Sequence, residues 1–509
     1  MKKNFIFTLL LLFLIATNIP YIFGLISGGD GVIFGGLIQN PIDGNTYLAK
    51  MYQGYEGDWK FHLPYSIERG EGAYLFLFYL FLGHLSRWLG FPQVVVFHIA
   101  RIVSSVALFL SVFLFIERLL PPENSLRRLA LVLCLFGSGL GWLAFFFNLF
   151  TADIWVAEAF PFLAAYTNPH FPLGLALILF LLVYSYRVDS FRSFLLAAVL
   201  GLSLAIVLPF GVVVLAGIFL IENIWRYLSE RRVVIWPFLT LIGGGVYLLY
   251  QYFAILQDPV LAAWNLQNMT LSPPLWDVIL SLSPAFFLAI IGYRKAIRSL
   301  PAFSVRMLYG WALFGLLLIY FPFNLQRRFM LGLFIPFSLL AALGLINISK
   351  KVGNRARYVY SITVVVSVLT NGLVLSAGFF GILARDAKIY YSQSEREAFN
   401  WIVKNTPEDS VILASVEMGL LIPAHTGRRV LYGHPFETIH AEKRVESVKN
   451  FFQGTLDQEE INQLVRNNGV DYILWTAREG DTVDLKDRLS FAVVFDNIET
   501  RIYDVNLPK

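Results

Sequence analysis

Long apolar segments alternate with short polar ones from the N-terminal residues to about residue 383. A run of about 18 or more apolar residues is long enough to cross the hydrocarbon core of a bilayer as a helix. The segments that fit this pattern predict about eleven spans, at residues 5–26, 93–116, 128–150, 170–186, 193–208, 209–226, 233–255, 275–292, 306–322, 329–348 and 358–383. The chain is therefore predicted to be a polytopic α-helical membrane protein.

The composition agrees with this prediction. Hydrophobic residues make up 57% of the chain and charged residues 15%, whereas soluble domains carry about a quarter charged residues. The first apolar run follows two lysines and resembles a signal peptide, but it is long and lacks a clear cleavage site, so we expect a membrane anchor. The single cysteine, Cys134, excludes an intrachain disulfide and leaves the redox compartment open.

Lys and Arg residues are concentrated in a subset of the loops, and short loops of this kind face the cytoplasm. The clusters lie near residues 2–3, 118–128, 187–192, 226–232, 294–306 and 350–357. They share one side only if segment 73–89, which is short and amphipathic, lies on the outer surface instead of crossing. This topology predicts a multi-pass plasma-membrane protein with a cytoplasmic N-terminus, a first external loop at 27–92 and an extracytoplasmic C-terminal domain.

The residues after position 384 have the polarity of a soluble domain. Apolar spacing predicts helices near residues 394–404, 417–424, 440–453 and 457–467, and strands at 411–414, 429–432, 472–475, 492–495 and 500–503. We therefore divide the chain into a transmembrane domain, 1–384, and a small extracytoplasmic α/β domain, 385–509.

The first external loop carries a candidate catalytic acid, Asp43, within the polar run 40–49. Asp43 stands before a predicted helix at 45–55, where an aspartate often serves as the N-cap. A carboxylate beside a membrane surface is also placed to accept a proton from a substrate that arrives through the bilayer. Both interpretations stay open at this point.

Three arginines are candidate phosphate ligands. Arg101 lies within a predicted span, three residues after His98, and a charge inside a membrane is expensive unless it faces protein or water. It either binds an anionic group or pairs with a loop carboxylate. Arg327 and Arg328 lie on the predicted outer side, against the charge rule, and either extend to lipid headgroups or bind phosphate in a bidentate manner.

The external loop 151–169 supplies a second group of candidates. Asp153, Glu158 and the nearby His170 could form an acceptor site or bind a divalent cation through hard ligands. They could equally belong to a solvated loop with a helix cap. The segment 433–438 of the tail is a polar turn between a predicted strand and a helix, and it could close over a site.

The order of these features resembles the GT-C superfamily of membrane glycosyltransferases, which use polyprenyl-phosphate-linked sugar donors. In that family an acid follows the first span in an external loop with surface helices, as Asp43 and the segments 45–55 and 73–89 do here. The run 98–103, with Arg101, is similar to an arginine-bearing second span of several members.

The resemblance extends to the end of the chain. A late external arginine contacts the donor phosphate in the family, and Arg327 or Arg328 occupies that place. The segment 397–407 is similar to the start of the soluble tail in many bacterial members. The loop 151–169 has no close Asp-x-Asp pair and no second acid follows Asp43, so the resemblance leaves metal use open.

The resemblance implies transfer of a sugar from a lipid-linked donor to a glycan, lipid or protein acceptor, with Asp43 as general base and arginines at the donor phosphate. No nucleic-acid partner is expected. A lipid or polysaccharide transporter is the alternative from another class, and it predicts charges along a path through several spans. A non-catalytic binding protein of the same fold also remains open. Here the charged residues lie mostly at the outer ends of the spans, which favours an enzyme at the interface.

Overall fold

The computed structural model describes residues 1–29, 31–479, 489–497 and 499–508. The chain divides into two compact units. The first comprises Met1–Pro20, His98–Tyr250 and Met269–Phe380, and the second comprises Tyr21–Phe97, Gln251–Asn268 and Gly381–Lys509. The first external loop and the C-terminal residues thus belong to the same compact unit. The sequence-based division into 1–384 and 385–509 places them in different domains.

The N-terminal and central part of the chain is almost entirely helical. Its helices are α1 Lys3–Ser27, α2 Pro41–Glu56, α3 Leu77–Leu89, α4 Gln93–Leu119, α5 Asn124–Phe136, α6 Gly141–Phe145, α7 Ala152–Trp155, α8 Pro161–Thr167, α9 His170–Tyr184, α10 Phe191–Val207, α11 Pro209–Glu230, α12 Trp236–Leu239, α13 Ile242–Gln257, α14 Pro259–Gln267, α15 Leu275–Leu282, α16 Ala285–Ser299, α17 Ala302–Leu318, α18 Phe334–Val352 and α19 Ala356–Leu383. Short 3-10 helices occupy Ala157–Ala159, Ser185–Arg187, Gln326–Met330 and Gly353–Arg355. One short strand, β1 Val32–Phe34, interrupts the series.

Seven helical segments within the described residues are long and apolar enough to cross a membrane. They are Lys3–Ser27, Gln93–Leu119, Asn124–Phe145, His170–Arg187, Pro209–Glu230, Gln326–Lys350 and Ala356–Leu383. The chain is thus a polytopic membrane protein, as predicted, while the count of about eleven spans stays a prediction.

The remaining four predicted spans are shorter or broken helices. Helices α10 and α17 match the predictions but are each 17 residues long. The segment 233–255 is divided between α12 and α13. Helices α15 and α16 bend by 70° where Pro284 stands between them, because proline cannot continue a helix from the preceding turn.

In the second unit, helices α2 and α3 cross at two glycines. A Cβ atom added to Gly54 would lie 2.0 Å from the Leu80 carbonyl oxygen, and one added to Gly83 would lie 2.0 Å from that of Met51. Only hydrogen fits at either position, so the two backbones touch. Helix α3 has 13 residues and is therefore about 20 Å long, too short to cross a core of about 30 Å. Its predicted position on the outer surface stays a prediction.

The C-terminal residues join the first loop through a two-stranded sheet. Strand β2, Tyr390–Ser392, pairs antiparallel with β1, and Val32 lies opposite Ser392. The sequence pattern did not predict this pairing. Because the two strands hydrogen-bond to each other, the start of the tail is fixed to the first loop.

The predicted α/β domain is present. Its elements are α20 Gln393–Asn405, β3 Val411–Leu413, α21 Val416–Thr426, β4 Arg429–Val430, α22 Ala441–Phe452, α23 Gln458–Asn467, β5 Tyr472–Thr476, the 3-10 helix Ala477–Glu479, β6 Phe491–Asp496 and β7 Thr500–Pro508. The strand order is β4-β3-β5-β7-β6. Strand β3 is parallel to both neighbours, and the β5–β7 and β6–β7 pairs are antiparallel. Buried residues such as Leu413, Ile473 and Tyr503 form its core.

Candidate active site

Asp43 lies in the first turn of α2 and is not its N-cap. The N-cap is Asn40, in the left-handed conformation (φ 50°), and Pro41 occupies the first helical position. Asn40 Oδ1 accepts the Asp43 backbone N–H at 3.4 Å, the bond that an N-cap side chain provides. The interpretation of Asp43 as a cap was therefore wrong, because Asn-Pro is the stronger start signal.

The Asp43 carboxylate is held from two sides. Asn40 Nδ2 donates to Asp43 Oδ2 at 2.6 Å, and His434 Nε2 lies 3.4 Å from Asp43 Oδ1. The Asp43 side chain is 37% exposed, whereas that of His434 is 3% exposed. The exposed part of the carboxylate can be reached by an acceptor hydroxyl group.

Backbone groups fix the orientation of the His434 ring. Its Nδ1 accepts the backbone N–H groups of Phe436, at 3.1 Å, and Glu437, at 3.2 Å. An imidazole nitrogen that accepts carries no proton, so the ring proton is on Nε2, the atom that faces Asp43. The Nε2 atom of the histidine therefore faces the Asp43 carboxylate at 3.4 Å.

The turn that carries His434 approaches its neighbours closely at Gly433. A Cβ atom at Gly433 would lie 2.3 Å from the Gly419 carbonyl oxygen and 2.6 Å from the Tyr65 ring. The Thr438 hydroxyl accepts the backbone N–H groups of Gly433 and His434. The polar turn predicted at 433–438 thus packs tightly and places its histidine on the candidate acid.

A buried ion pair joins the same turn to α2. Lys50 Nζ lies 2.6 Å from Glu437 Oε1, with the lysine side chain 1% exposed. Its ammonium also lies 4.5 Å from the centroid of the Phe76 ring and 5.3 Å from that of Phe61, distances at which a cation is attracted to the ring face. Burial lowers the pKa of Lys50, while the charge of Glu437 opposes that shift.

We expect Glu437→Gln to lower the free energy of unfolding by about 2 to 3 kcal/mol, because it leaves a buried ammonium without its counter-charge. This loss of stability is small for the removal of one partner of a buried ion pair, since Lys50 can release its proton and become neutral. Unfolding in a denaturing detergent measures it. Glu442→Gln, an exposed glutamate in the first turn of α22, is the matched control. Equal stability of the two variants would contradict a stabilising ion pair.

In the first unit, the arginine doublet lies in the 3-10 helix Gln326–Met330. The backbone N–H of Arg327 donates to the Thr270 carbonyl at 3.0 Å. The Arg327 guanidinium lies 4.7 Å from the Trp155 ring centroid, and Arg328 Nη1 lies 3.6 Å from Glu158 Oε1. The structure thus brings Glu158 to the doublet. The Arg328 side chain is 28% exposed, so a ligand can reach this cluster.

The guanidinium of Arg101 differs from those of the doublet because it donates its hydrogen bonds to atoms of the protein. Its Nη1 donates to the carbonyls of Thr17 and Ala165, both at 3.0 Å, and its Nη2 donates to Asn18 Oδ1 at 2.7 Å. Its Nε donates to His98 Nδ1 at 3.3 Å, and the residue is 1% exposed. We therefore assign Arg101 to joining α1, α4 and the end of α8, and not to a ligand.

Asp153 is likewise enclosed. Its carboxylate accepts the Gly141 N–H at 2.9 Å and the hydroxyls of Thr151, at 2.7 Å, and Ser281, at 3.1 Å. It is fully buried, and burial raises the pKa of its carboxyl, against the effect of these donors. Such a carboxylate orders the loop and has no surface for an acceptor.

His170 begins α9 and is buried, with its ring 3.9 Å from that of Phe171. Among the described residues, no group of three or more His, Cys, Asp and Glu side chains is placed to hold a metal ion. Asp153, Glu158 and His170 therefore do not form a joint metal site in this structure. Use of a divalent cation stays a prediction without a set of ligands.

Comparison with known proteins gives matches of structure alone. No family model and no curated protein matches the sequence. The oligosaccharyltransferase of Archaeoglobus fulgidus, solved with a tethered acceptor peptide, is 14% identical with a TM-score of 0.52, over 100% of this chain and 75% of that one. ArnT from Cupriavidus metallidurans in the apo state is 12% identical with a TM-score of 0.52, over 97% of both chains.

A third similar structure is arabinofuranosyltransferase AftD from Mycobacteria, 13% identical with a TM-score of 0.55, over 99% of this chain and 42% of that one. All three are GT-C superfamily glycosyltransferases. ArnT has also been solved bound to undecaprenyl phosphate. At these identities the similarity establishes the fold, and the predicted GT-C-like fold with a small C-terminal α/β domain is confirmed.

Proposed function

We propose that this protein is a membrane glycosyltransferase that moves a sugar from a polyprenyl-phosphate-linked donor to an acceptor hydroxyl. The observation that carries the proposal is the Asp43 carboxylate, which Asn40 and His434 orient while 37% of its side chain stays exposed. A fold used by glycosyltransferases with lipid-linked donors supports it.

In the proposed reaction, the acceptor oxygen attacks the anomeric carbon and forms the new glycosidic bond. The bond between that carbon and the donor phosphate oxygen breaks, and polyprenyl phosphate leaves with the electron pair. The acceptor proton passes to Asp43, which acts as general base, a contribution of about a hundredfold or more.

The leaving phosphate gains negative charge as the bond breaks. We assign its stabilisation to Arg327 and Arg328, since a guanidinium matches phosphate geometry and holds fixed positive charge where negative charge develops. Trp155 and Glu158 orient the two arginines in the ground state. Because the Arg328–Glu158 contact is 3.6 Å long, a bound phosphate can compete for that guanidinium.

The donor is expected to remain in the bilayer through its polyprenyl chain, with its phosphate at the interface. We propose that transfer occurs on the outer face of the plasma membrane, where the distribution of Lys and Arg places the first loop and the C-terminal residues. The proposed acceptor is a glycan, a lipid or a protein that presents a hydroxyl group.

The proposal is tested by reconstituting the purified protein in nanodiscs with polyprenyl-phosphate sugars labelled in the sugar. Candidate acceptors come from extracted cell-envelope glycans, lipids and peptides. The expected result is label in one acceptor class together with release of polyprenyl phosphate. Labelled donor that crosses the bilayer of liposomes without transfer would support the transporter instead.

His434 is proposed as the residue that positions Asp43. We expect His434→Ala to lower kcat about tenfold and to leave KM for the donor nearly unchanged, because the histidine touches the base and not the substrate. His434→Gln should recover most of the rate, since its amide can donate to Asp43. A Gln variant as slow as the Ala variant, with both folded, would contradict a positioning role.

A further inference from the structure

The first unit contains a groove that takes no part in the proposed reaction. It has a volume of about 350 Å³ and lies between the C-terminal ends of α4 and α9. Its walls are mostly apolar, and they are formed by Leu114, Phe115, Leu179, Phe180, Val183 and Tyr184. Ser111 lies at one end of the lining along α4, and Arg118 and Arg187 lie at the other. The groove is therefore amphipathic along its length.

The positive charges of Arg118 and Arg187 are not neutralised by protein groups among the described residues. Both are exposed, and within the described part of the chain neither side chain makes a hydrogen bond or an ion pair. Arginines in the last turn of a helix often bind its free carbonyls, but these two do not. Their guanidinium groups are thus free to bind an external anion at the mouth of an apolar groove.

The one acid in the lining does not cancel this charge. Glu117 lies 2.9 Å from Arg127 Nη1, and Arg127 Nη2 also donates to the Glu117 carbonyl at 2.9 Å. The carboxylate is therefore paired outside the groove. With Glu117 neutralised, Arg118 and Arg187 give the groove a net positive end.

We propose that this groove binds an anionic phospholipid. The phosphate of the headgroup would contact Arg118 and Arg187, and one acyl chain would lie along Leu114 and Val183. The arginine-rich end of these helices is the end predicted to be cytoplasmic, and basic grooves between membrane helices on that side suit anionic headgroups. A volume of about 350 Å³ is in the range of small-ligand pockets and accepts part of one lipid.

The test compares lipids that share acyl chains and differ in charge. The full protein, purified in detergent, is titrated with phosphatidylglycerol or with phosphatidylcholine, and bound lipid is counted by native mass spectrometry. The wild type should retain phosphatidylglycerol preferentially. The variant Arg118→Gln/Arg187→Gln should bind phosphatidylglycerol about tenfold more weakly, because two headgroup contacts are lost, and its preference should disappear.

A matched double variant, Arg294→Gln/Arg298→Gln, removes two exposed arginines near the end of α16 that do not line the groove. It should bind phosphatidylglycerol as the wild type does. Ser111→Phe, which narrows the apolar end, should weaken binding of the lipid.

Three outcomes would overturn the proposal. They are an unchanged lipid preference in the Arg118→Gln/Arg187→Gln variant, equal losses in the two double variants, and inorganic phosphate that displaces the lipid at equal concentration. Glycosyl transfer is not measured in any of these experiments, so they stand independently of the proposed activity.

Discussion

Asp43→Asn should lower the rate of sugar transfer by about a hundredfold or more while the protein remains folded. The amide cannot accept the proton of the acceptor hydroxyl, and general base catalysis contributes about that factor. Folding should change little, since Asn40 caps α2 and not Asp43, and the new amide can still contact Asn40 and His434. The measurement is the initial rate of transfer from a polyprenyl-phosphate sugar in nanodiscs.

The matched control is Asp58→Asn. Asp58 lies in the same loop, is exposed, and makes its hydrogen bond to His84 through its backbone carbonyl. It should transfer sugar at nearly the wild-type rate. If the Asp58 variant is inactive while the Asp43 variant is not, another acid is the base. Asp30, also in this loop, lies outside the described residues.

Replacing the doublet, Arg327→Gln/Arg328→Gln, should weaken binding of polyprenyl phosphate about a hundredfold. A hydrogen bond to a charged group contributes about 1.5 kcal/mol or more, and two such losses correspond to about two factors of ten. Loss of Arg328 removes the cationic partner of the Glu158 carboxylate, which is only 6% exposed, so binding is measured on protein that circular dichroism shows to be folded. Native mass spectrometry with polyprenyl phosphate as the ligand measures the affinity.

A second arginine doublet provides the control. Arg231 and Arg232 follow α11 and are exposed. The variant Arg231→Gln/Arg232→Gln also removes two positive charges, but on the side predicted to be cytoplasmic. Polyprenyl phosphate should bind this variant as tightly as it binds the wild type. Unchanged affinity in the Arg327→Gln/Arg328→Gln variant would leave the doublet as an anchor for lipid headgroups.

Much of the fold could be predicted because the periodicity of apolar residues depends on local chain geometry. The helices and strands of residues 393–508 follow from the spacing of residues such as Ile402, Leu413 and Ile473, which are buried. Broken helices were harder to predict. The segment 233–255 has the composition of a span, but its helix is interrupted at residues 240–241. The position of this interruption depends on packing, so the composition does not reveal it.

The site was only partly predictable. Asp43, the arginine doublet and the polar turn 433–438 stand out locally, through charge and sequence position. The contact between Asp43 and His434, and that between Lys50 and Glu437, join distant parts of the chain, so no local pattern contains them. Arg101 is the converse case, since a charge in a span is a strong signal but only packing reveals that carbonyl groups of the protein already accept its hydrogen bonds.

The ion pair between Lys50 and Glu437 spans 387 residues of sequence. At about 5 to 20 residues per second, a ribosome needs roughly 20 to 80 s to add Glu437 after Lys50. During that interval the Lys50 ammonium has no Glu437 carboxylate to pair with, while the surroundings it occupies in the finished structure are apolar. A buried ammonium without its counter-charge is unfavourable, so we expect the first loop to stay loosely packed until Glu437 has been added. Chains truncated before residue 437 should therefore lack the packed form of the candidate site.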